Sequence, residues 1–383
     1  MTLSLTLVIS AASPITLASD DEDWEVGAVL DAAQTSKKLA LGYRDKNLGM
    51  GHSDFYLRGP LGESLTAEAT LAAHTVDGRL EHHTDRFLIR TRTLPAGLSA
   101  MVGRFASQIG AMNEQHPHAD DFAERPLIYR GFLGNHWVDD GMRLNWNVPV
   151  AFDLRLGVEA FSGQRLIRES QNRPNLGAHT FSLKTGGGLG ANSNWGFGVS
   201  TLNNHRLAAV HAHEADTEGH GHVHGAAFSG GRMWLSDLAY QWAPDGRPDE
   251  RQLRLFLEHA SVSRIHPDSG ALRHAGSTMG AVWRFRSAWE IGARTDWLRV
   301  NKPELHDGNG DGITETLEFS PARLREHALM IAYKPNHMQT YRLQFSRQRI
   351  SGAQGADVFS GAAGSVIQLQ VVLGFTAIGE HVH

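Results

Sequence analysis

The segment Ile367-Gln368-Leu369-Gln370-Val371-Val372-Leu373-Gly374-Phe375 alternates almost without a break. Ile367, Leu369, Val371, Leu373 and Phe375 share one side, with Gln368 and Gln370 on the other. Successive side chains of an extended chain point to opposite faces, so the pattern predicts a strand with one oily and one polar side. The same rhythm recurs upstream. Trp289, Ile291, Ala293, Thr295 and Trp297 alternate with Glu290, Gly292, Arg294 and Asp296. Phe152, Leu154, Leu156, Val158 and Ala160 alternate with Asp153, Arg155, Gly157 and Glu159. Trp24, Val26, Ala28 and Leu30 oppose Glu25 and Asp31; Phe87 and Ile89 oppose Arg86 and Arg90. About sixteen such segments are predicted, near 24–32, 52–59, 64–75, 82–93, 98–106, 140–147, 151–162, 178–187, 195–203, 233–242, 251–263, 275–286, 288–300, 325–334, 337–349 and 365–375.

The connections alternate in length. Short ones include 94–97, 148–150, 190–194, 286–288 and 334–337; long ones cover roughly 107–139, 163–177, 204–232, 264–274, 301–324 and 350–364. Short turns at one end and long loops at the other are the pattern of an all-β, transmembrane antiparallel barrel of the outer membrane. The cost of charge assigns the faces. An arginine on the lipid side at mid-bilayer costs roughly 2–4 kcal/mol. Arg86, Arg90, Arg143, Arg155, Arg254, Arg284, Arg294 and Arg342, with Glu290 and Asp296, are therefore expected to line the pore. Trp289 and Trp297, eight residues apart on the oily face, span about 20 Å of height in a strand tilted by about 40°, near the spacing of two aromatic girdles.

The 383-residue composition agrees. Hydrophobic residues make up 41% and charged ones 20%, which excludes a disordered chain. The mean hydropathy of -0.31 argues against helical membrane spans but not against a barrel, whose strands average out. The chain has no Cys, which removes disulfides, thiolate metal sites and Cys nucleophiles, and a net charge of -5 gives no nucleic-acid signature. Leu3 to Leu17 is a short apolar stretch ending in Leu17-Ala18-Ser19 before the acidic run Asp20 to Asp23. It reads as a signal peptide over 1–19 that lacks the usual basic start, followed by a single barrel domain over 20–383.

The block Leu94 to Trp146 carries a resemblance. Its pieces Gly103-Arg104-Phe105, Asn113-Glu114-Gln115-His116-Pro117-His118, Asp121-Phe122, Pro126-Leu127-Ile128-Tyr129-Arg130, Phe132-Leu133-Gly134-Asn135 and Asp139-Asp140-Gly141 resemble a bacterial family of porin-like outer-membrane proteins. That family is grouped with phosphate-selective porins, and some members are labelled zinc-regulated. The resemblance implies a sixteen-stranded barrel whose long third outer loop folds into the lumen, passive diffusion of small hydrophilic solutes or ions, and, as is common for porins of this size, a homotrimer. Phosphate selectivity in the wider group goes with lysine-rich channels, whereas this chain favours Arg and His.

Candidate metal ligands cluster in two loops. His116, His118, Asp120, Asp121 and His136 lie in the third loop, and imidazole with carboxylate suits Zn²⁺. The tract His211, His213, His220, His222 and His224 has a metal-capturing composition without fixed geometry. Loop tethering and a solvated polar tract are the competing readings. Asp307, Asn309, Asp311 and Glu318 match a calcium-loop spacing, with Gly312 at the turn, although no flanking helices are predicted. No nucleophile elbow, HExxH or phosphate loop stands out, so an enzyme is not expected. The alternatives to a channel linked to zinc uptake are a non-conducting metal-capturing surface protein and an anion or phosphate porin. A protein labelled TonB-dependent receptor but without a plug is a third alternative, since a plugged receptor would need twenty-two strands plus the plug, too much for this length.

Overall fold

The computed structural model describes residues 24–92, 94–166, 176–205, 226–306, 316–352, 355–359, 361 and 363–378. Sixteen antiparallel strands close into one barrel. They are β1 (Glu25–Thr35), β2 (Asn47–Met50 continued by Ser53–Leu61), β3 (Leu65–Val76), β4 (Arg79–Thr91), β5 (Leu98–Ala106), β6 (Val138–Asn147), β7 (Asp153–Phe161) and β8 (Ala178–Gly188). The second half comprises β9 (Ser193–Asn204), β10 (Arg232–Trp242), β11 (Gln252–Ser263), β12 (Arg273–Arg286), β13 (Trp289–His306), β14 (Thr316–Asn336), β15 (Gln339–Ser351) and β16 (Ser365–Ile378). Each strand pairs with its sequence neighbours, and β1 pairs with β16 over eleven registered residues, Glu25↔Ile378 through Thr35↔Gln368, which removes every sheet edge.

The exterior is apolar where the alternation places it. Leu329, Ile331, Leu343, Phe345, Ile367, Leu369 and Phe375 are all exposed on the outside. A girdle of Trp24, Trp146, Trp242, Trp289, Tyr333, Tyr341 and Phe375 marks the short-turn end, and the Trp289 and Tyr333 rings pack 4.8 Å apart. Such a surface is stable only against lipid, because water would leave its contiguous apolar area unpaid by any burial.

Three departures from the expected pattern have physical causes. β2 is broken at Gly51-His52: both halves pair with β1, and a side chain at Gly51 would run into the Asp31–Arg44 ion pair. β13 and β14 extend well past the expected ends, to His306 and from Thr316, because their register continues unbroken through Glu304↔Glu318; strand therefore covers both flanks of the predicted long loop over 301–324. The outer connection between β3 and β4 is a two-residue turn, Asp77-Gly78, with both residues at positive φ, so the long-loop rule has an exception there.

The lumen is not simply polar. The third outer loop, 107–137, enters it and carries the helix α1 (Leu127–Phe132), every residue of which is buried. Ile109, Leu127, Ile128, Phe132 and Leu133 pack against inward side chains of the wall, among them Leu202, Met233, Leu235, Val262, Leu298 and Leu324. At the outer ends of these strands the inner face is apolar, and the loop supplies the partner that this face needs.

Candidate metal centre in the lumen

The loop is held by charge as well as by apolar contact. Arg254 of the wall pairs with Asp121 at 2.6 Å and Glu290 at 3.2 Å. Arg143 pairs with Glu114 at 2.5 Å and Glu159 at 2.6 Å. Arg294 binds Asp296 and Glu326 at 2.8 Å each and donates to the Glu124 carbonyl at 2.5 Å. Arg342 donates to the Asp120 carbonyl at 2.6 Å. These four arginines and their wall carboxylates face inward and are buried against the loop. Arg284 pairs with Glu290 at 2.7 Å, Arg86 pairs with Glu68 at 2.7 Å, and Arg90 and Arg155 keep water contact. Glu114 retains 37% side-chain exposure beside Arg143 and Lys184, which marks a water-facing flank between loop and wall. Burial alone would raise the Glu114 carboxyl, but Arg143, Lys184 and Arg155 bring it down to about 2.

Asp120 accepts from Arg125 at 2.8 Å and from Gln115 at 2.6 Å. It therefore joins Asp121 as a strut of the loop and does not stand with the histidines. His116, His118 and His136 do come together, around two wall carboxylates that the sequence pattern did not single out. Asp54 on β2 lies 2.8 Å from His116 Nδ1, 3.1 Å from His118 Nδ1 and 3.1 Å from His52 Nε2. Asp85 on β4 lies 3.4 Å from His116 Nδ1, 3.6 Å from His136 Nδ1, 3.7 Å from His83 Nε2 and 3.8 Å from His52 Nε2.

Local backbone irregularities aim these groups. His52 sits at the break in β2. Asp85 is the extra residue of a β-bulge, where the register passes from Thr70↔Arg86 to Leu71↔Thr84. A bulge lets two consecutive side chains share a face, so Asp85 and Arg86 both look inward. His116 precedes a single 3-10 turn, Pro117–Ala119, that sets His118 on the same side.

The donor atoms are not otherwise satisfied. Both oxygens of Asp54 and of Asp85, His52 Nε2, the Nδ1 atoms of His116 and His118, and both ring nitrogens of His136 are buried without a well-directed hydrogen bond. Unpaired buried polar atoms are costly, and so many at one point fit a cation better than mutual hydrogen bonding. Two overlapping sets, His52-Asp85-His116 and Asp54-His116-His118, each bring their ligand atoms within 4.8 Å of one another. The imidazole–carboxylate separations bracket the edge of about 3.4 Å expected for a tetrahedron with bonds of about 2.1 Å. Burial holds the His136 imidazole well below its usual range and lowers His116 too, although Asp54 beside His116 acts the other way. Both rings thus favour the neutral form that ligates metals.

Comparison with known proteins follows the barrel. No family model matches the chain. Among solved structures, it resembles OprB of Pseudomonas putida at high pH (TM-score 0.56, 11% identity, 93% of this chain and 95% of that one). A loop-deletion mutant of OmpT, an outer-membrane protein of Vibrio cholerae, gives a TM-score of 0.55 at 9% identity, over 92% of this chain and 98% of that one. The anion-selective porin from Comamonas acidovorans gives 0.53 at 12%, over 92% and 98%. The fold is that of the outer-membrane porins. An uncharacterized protein of Aquifex aeolicus is 29% identical over 278 residues, 68% of this chain; the match spans 55% of that protein's length.

The remaining candidate ligands divide by position. His211, His213, His220, His222 and His224 lie outside the described residues, as do Asp307, Asn309 and Asp311 and the segment 1–23. Glu318 is exposed on β14, opposite Glu304 in register. The wall residues His52, Asp54, His83 and Asp85 escaped sequence reasoning because no spacing links them to the loop. The one available signal was Asp85-Arg86, a pair of charges that interrupts the alternation of β4.

Proposed function

We propose that this chain is an outer-membrane channel for small hydrophilic solutes or ions, and that the His/Asp cluster beside its inserted loop is a site for Zn²⁺ or a similar divalent transition metal on the conduction path. The observation that carries the metal reading is the convergence of buried, hydrogen-bond-free nitrogen and oxygen donors around Asp54 and Asp85. His116 belongs to both overlapping sets, and the side chains of His83, His116 and His118 remain 16–30% exposed. An ion could therefore enter from the lumen and exchange one Asp/His pair for the other while keeping His116. A transport site must release what it binds, and graded overlapping sites serve that need. The resemblance of the Leu94 to Trp146 block to a porin-like family, some of whose members are labelled zinc-regulated, points the same way.

Calorimetry with Zn²⁺ on the refolded barrel tests the site. A variant lacking 211–224 removes the competing His tract and is expected to keep the lumen site, while adding His116→Ala and His118→Ala to it weakens binding by at least about tenfold. Equal binding by the two variants would overturn the assignment. A second reading, anion passage, is favoured by the water-facing flank, where Arg86, Arg90, Arg155 and Lys184 outnumber Glu68 and Glu114. Reversal potentials in a KCl gradient separate the two.

A further inference from the structure

Above the apolar belt, the outside of β13, β14 and β15 changes character. Outward positions climb β14 as Tyr333, Ile331, Leu329, His327, Arg325 and Arg323, all exposed. Arg325 stands eight residues above the Tyr333 girdle, about 20 Å in height at a tilt of about 40°. The register places it between Trp297 on β13 and Arg349 on β15. Arg323 faces Arg299, and His327 faces Arg347, in the same way. All five arginines are exposed, and among the described residues none has an ion-pair partner.

Like charges directly opposite each other in a sheet are destabilising, and elsewhere on this exterior an outward arginine is neutralised: Arg104 binds Asp140 through two hydrogen bonds of 2.7 and 2.8 Å. We infer that this patch is a docking site for the phosphorylated headgroup of an outer-leaflet lipid. Three observations select that partner. The arginines begin where the aliphatic surface ends, so acyl chains below and anionic groups above are met by one molecule. Their guanidinium forks suit phosphate bidentately. Their spacing across three adjacent strands spreads the charge over about 10 Å, two interstrand distances, which matches a headgroup carrying more than one phosphate better than a single small anion.

The test uses the full chain reconstituted into nanodiscs of zwitterionic phospholipid with and without a bisphosphorylated glucosamine-disaccharide lipid. Retention of that glycolipid is read by native mass spectrometry. The quadruple variant Arg323→Gln, Arg325→Gln, Arg347→Gln, Arg349→Gln is expected to retain it at least about tenfold less than the wild type. Arg247→Gln with Arg251→Gln, at the short-turn end, should retain it normally. Equal retention by the quadruple variant and the wild type overturns the inference. So does displacement of the glycolipid by millimolar inorganic phosphate, which would mark a simple anion site. A change of oligomeric state in the quadruple variant, with lipid retention intact, would instead assign the face to a second copy of the chain and also overturn it.

Discussion

Asp85 shows how much one inserted residue decides. Without the bulge at Thr84–Arg86, the alternation of β4 would turn either Asp85 or Arg86 toward lipid; with it, the first joins the histidine cluster and the second pairs with Glu68. Asp85→Asn keeps the shape, removes the charge and is expected to weaken Zn²⁺ binding at least about tenfold, read by the same calorimetry. Buried struts behave differently. Glu326 accepts from Arg130 at 2.6 Å, Arg294 at 2.8 Å and Gln348 at 2.7 Å. Glu326→Gln leaves two guanidinium groups without their shared charge, for which a loss of about 3–5 kcal/mol is expected. Thermal unfolding in detergent should fall clearly, and an unchanged midpoint would show that the loop docks without this pair.

At the scale of the element, the inserted loop behaves as a packed unit. Asn113 closes it: its Nδ2 donates to the carbonyls of Ser107 at 2.8 Å and Trp137 at 2.9 Å, and its Oδ1 accepts from the Trp137 amide at 2.9 Å. Asn113→Ala removes three buried hydrogen bonds of about 1 kcal/mol each and leaves their backbone partners unsatisfied. The expected result is a looser loop, faster proteolysis between 107 and 137 and a larger, noisier conductance. The sequence motif around His116 located this loop and three histidines that the structure brings together. It could not locate the loop's apolar side, because α1 is too short for a helical period and its partners Leu202, Leu235, Leu298 and Leu324 lie on four separate strands. The clue that existed was the reversed polarity of runs such as Leu298-Arg299-Val300, where the inward positions are apolar and the outward one is charged.

For the whole molecule, the lipid-facing period was the legible part, since every strand repeats it and each of the sixteen expected segments corresponds to a strand. What escaped were interruptions of the period, at Gly51-His52 and at Asp85, and it is there that the candidate wall ligands sit. The belt itself makes a sharp prediction. Leu329 lies midway between Tyr333 and Arg325, so Leu329→Arg should cost roughly 2–4 kcal/mol in folding into bilayers, whereas Arg325→Leu should cost little. Equal costs at both positions would place the membrane elsewhere on the barrel. The central claim joins the barrel and the proposed metal centre, and single-channel recording in planar bilayers tests both at once. Discrete conductance steps are expected, reduced reversibly by Zn²⁺ in the wild type and unaffected by it in an Asp54→Asn, Asp85→Asn double variant. Silent bilayers, or steps whose Zn²⁺ response is the same in both proteins, would contradict the account.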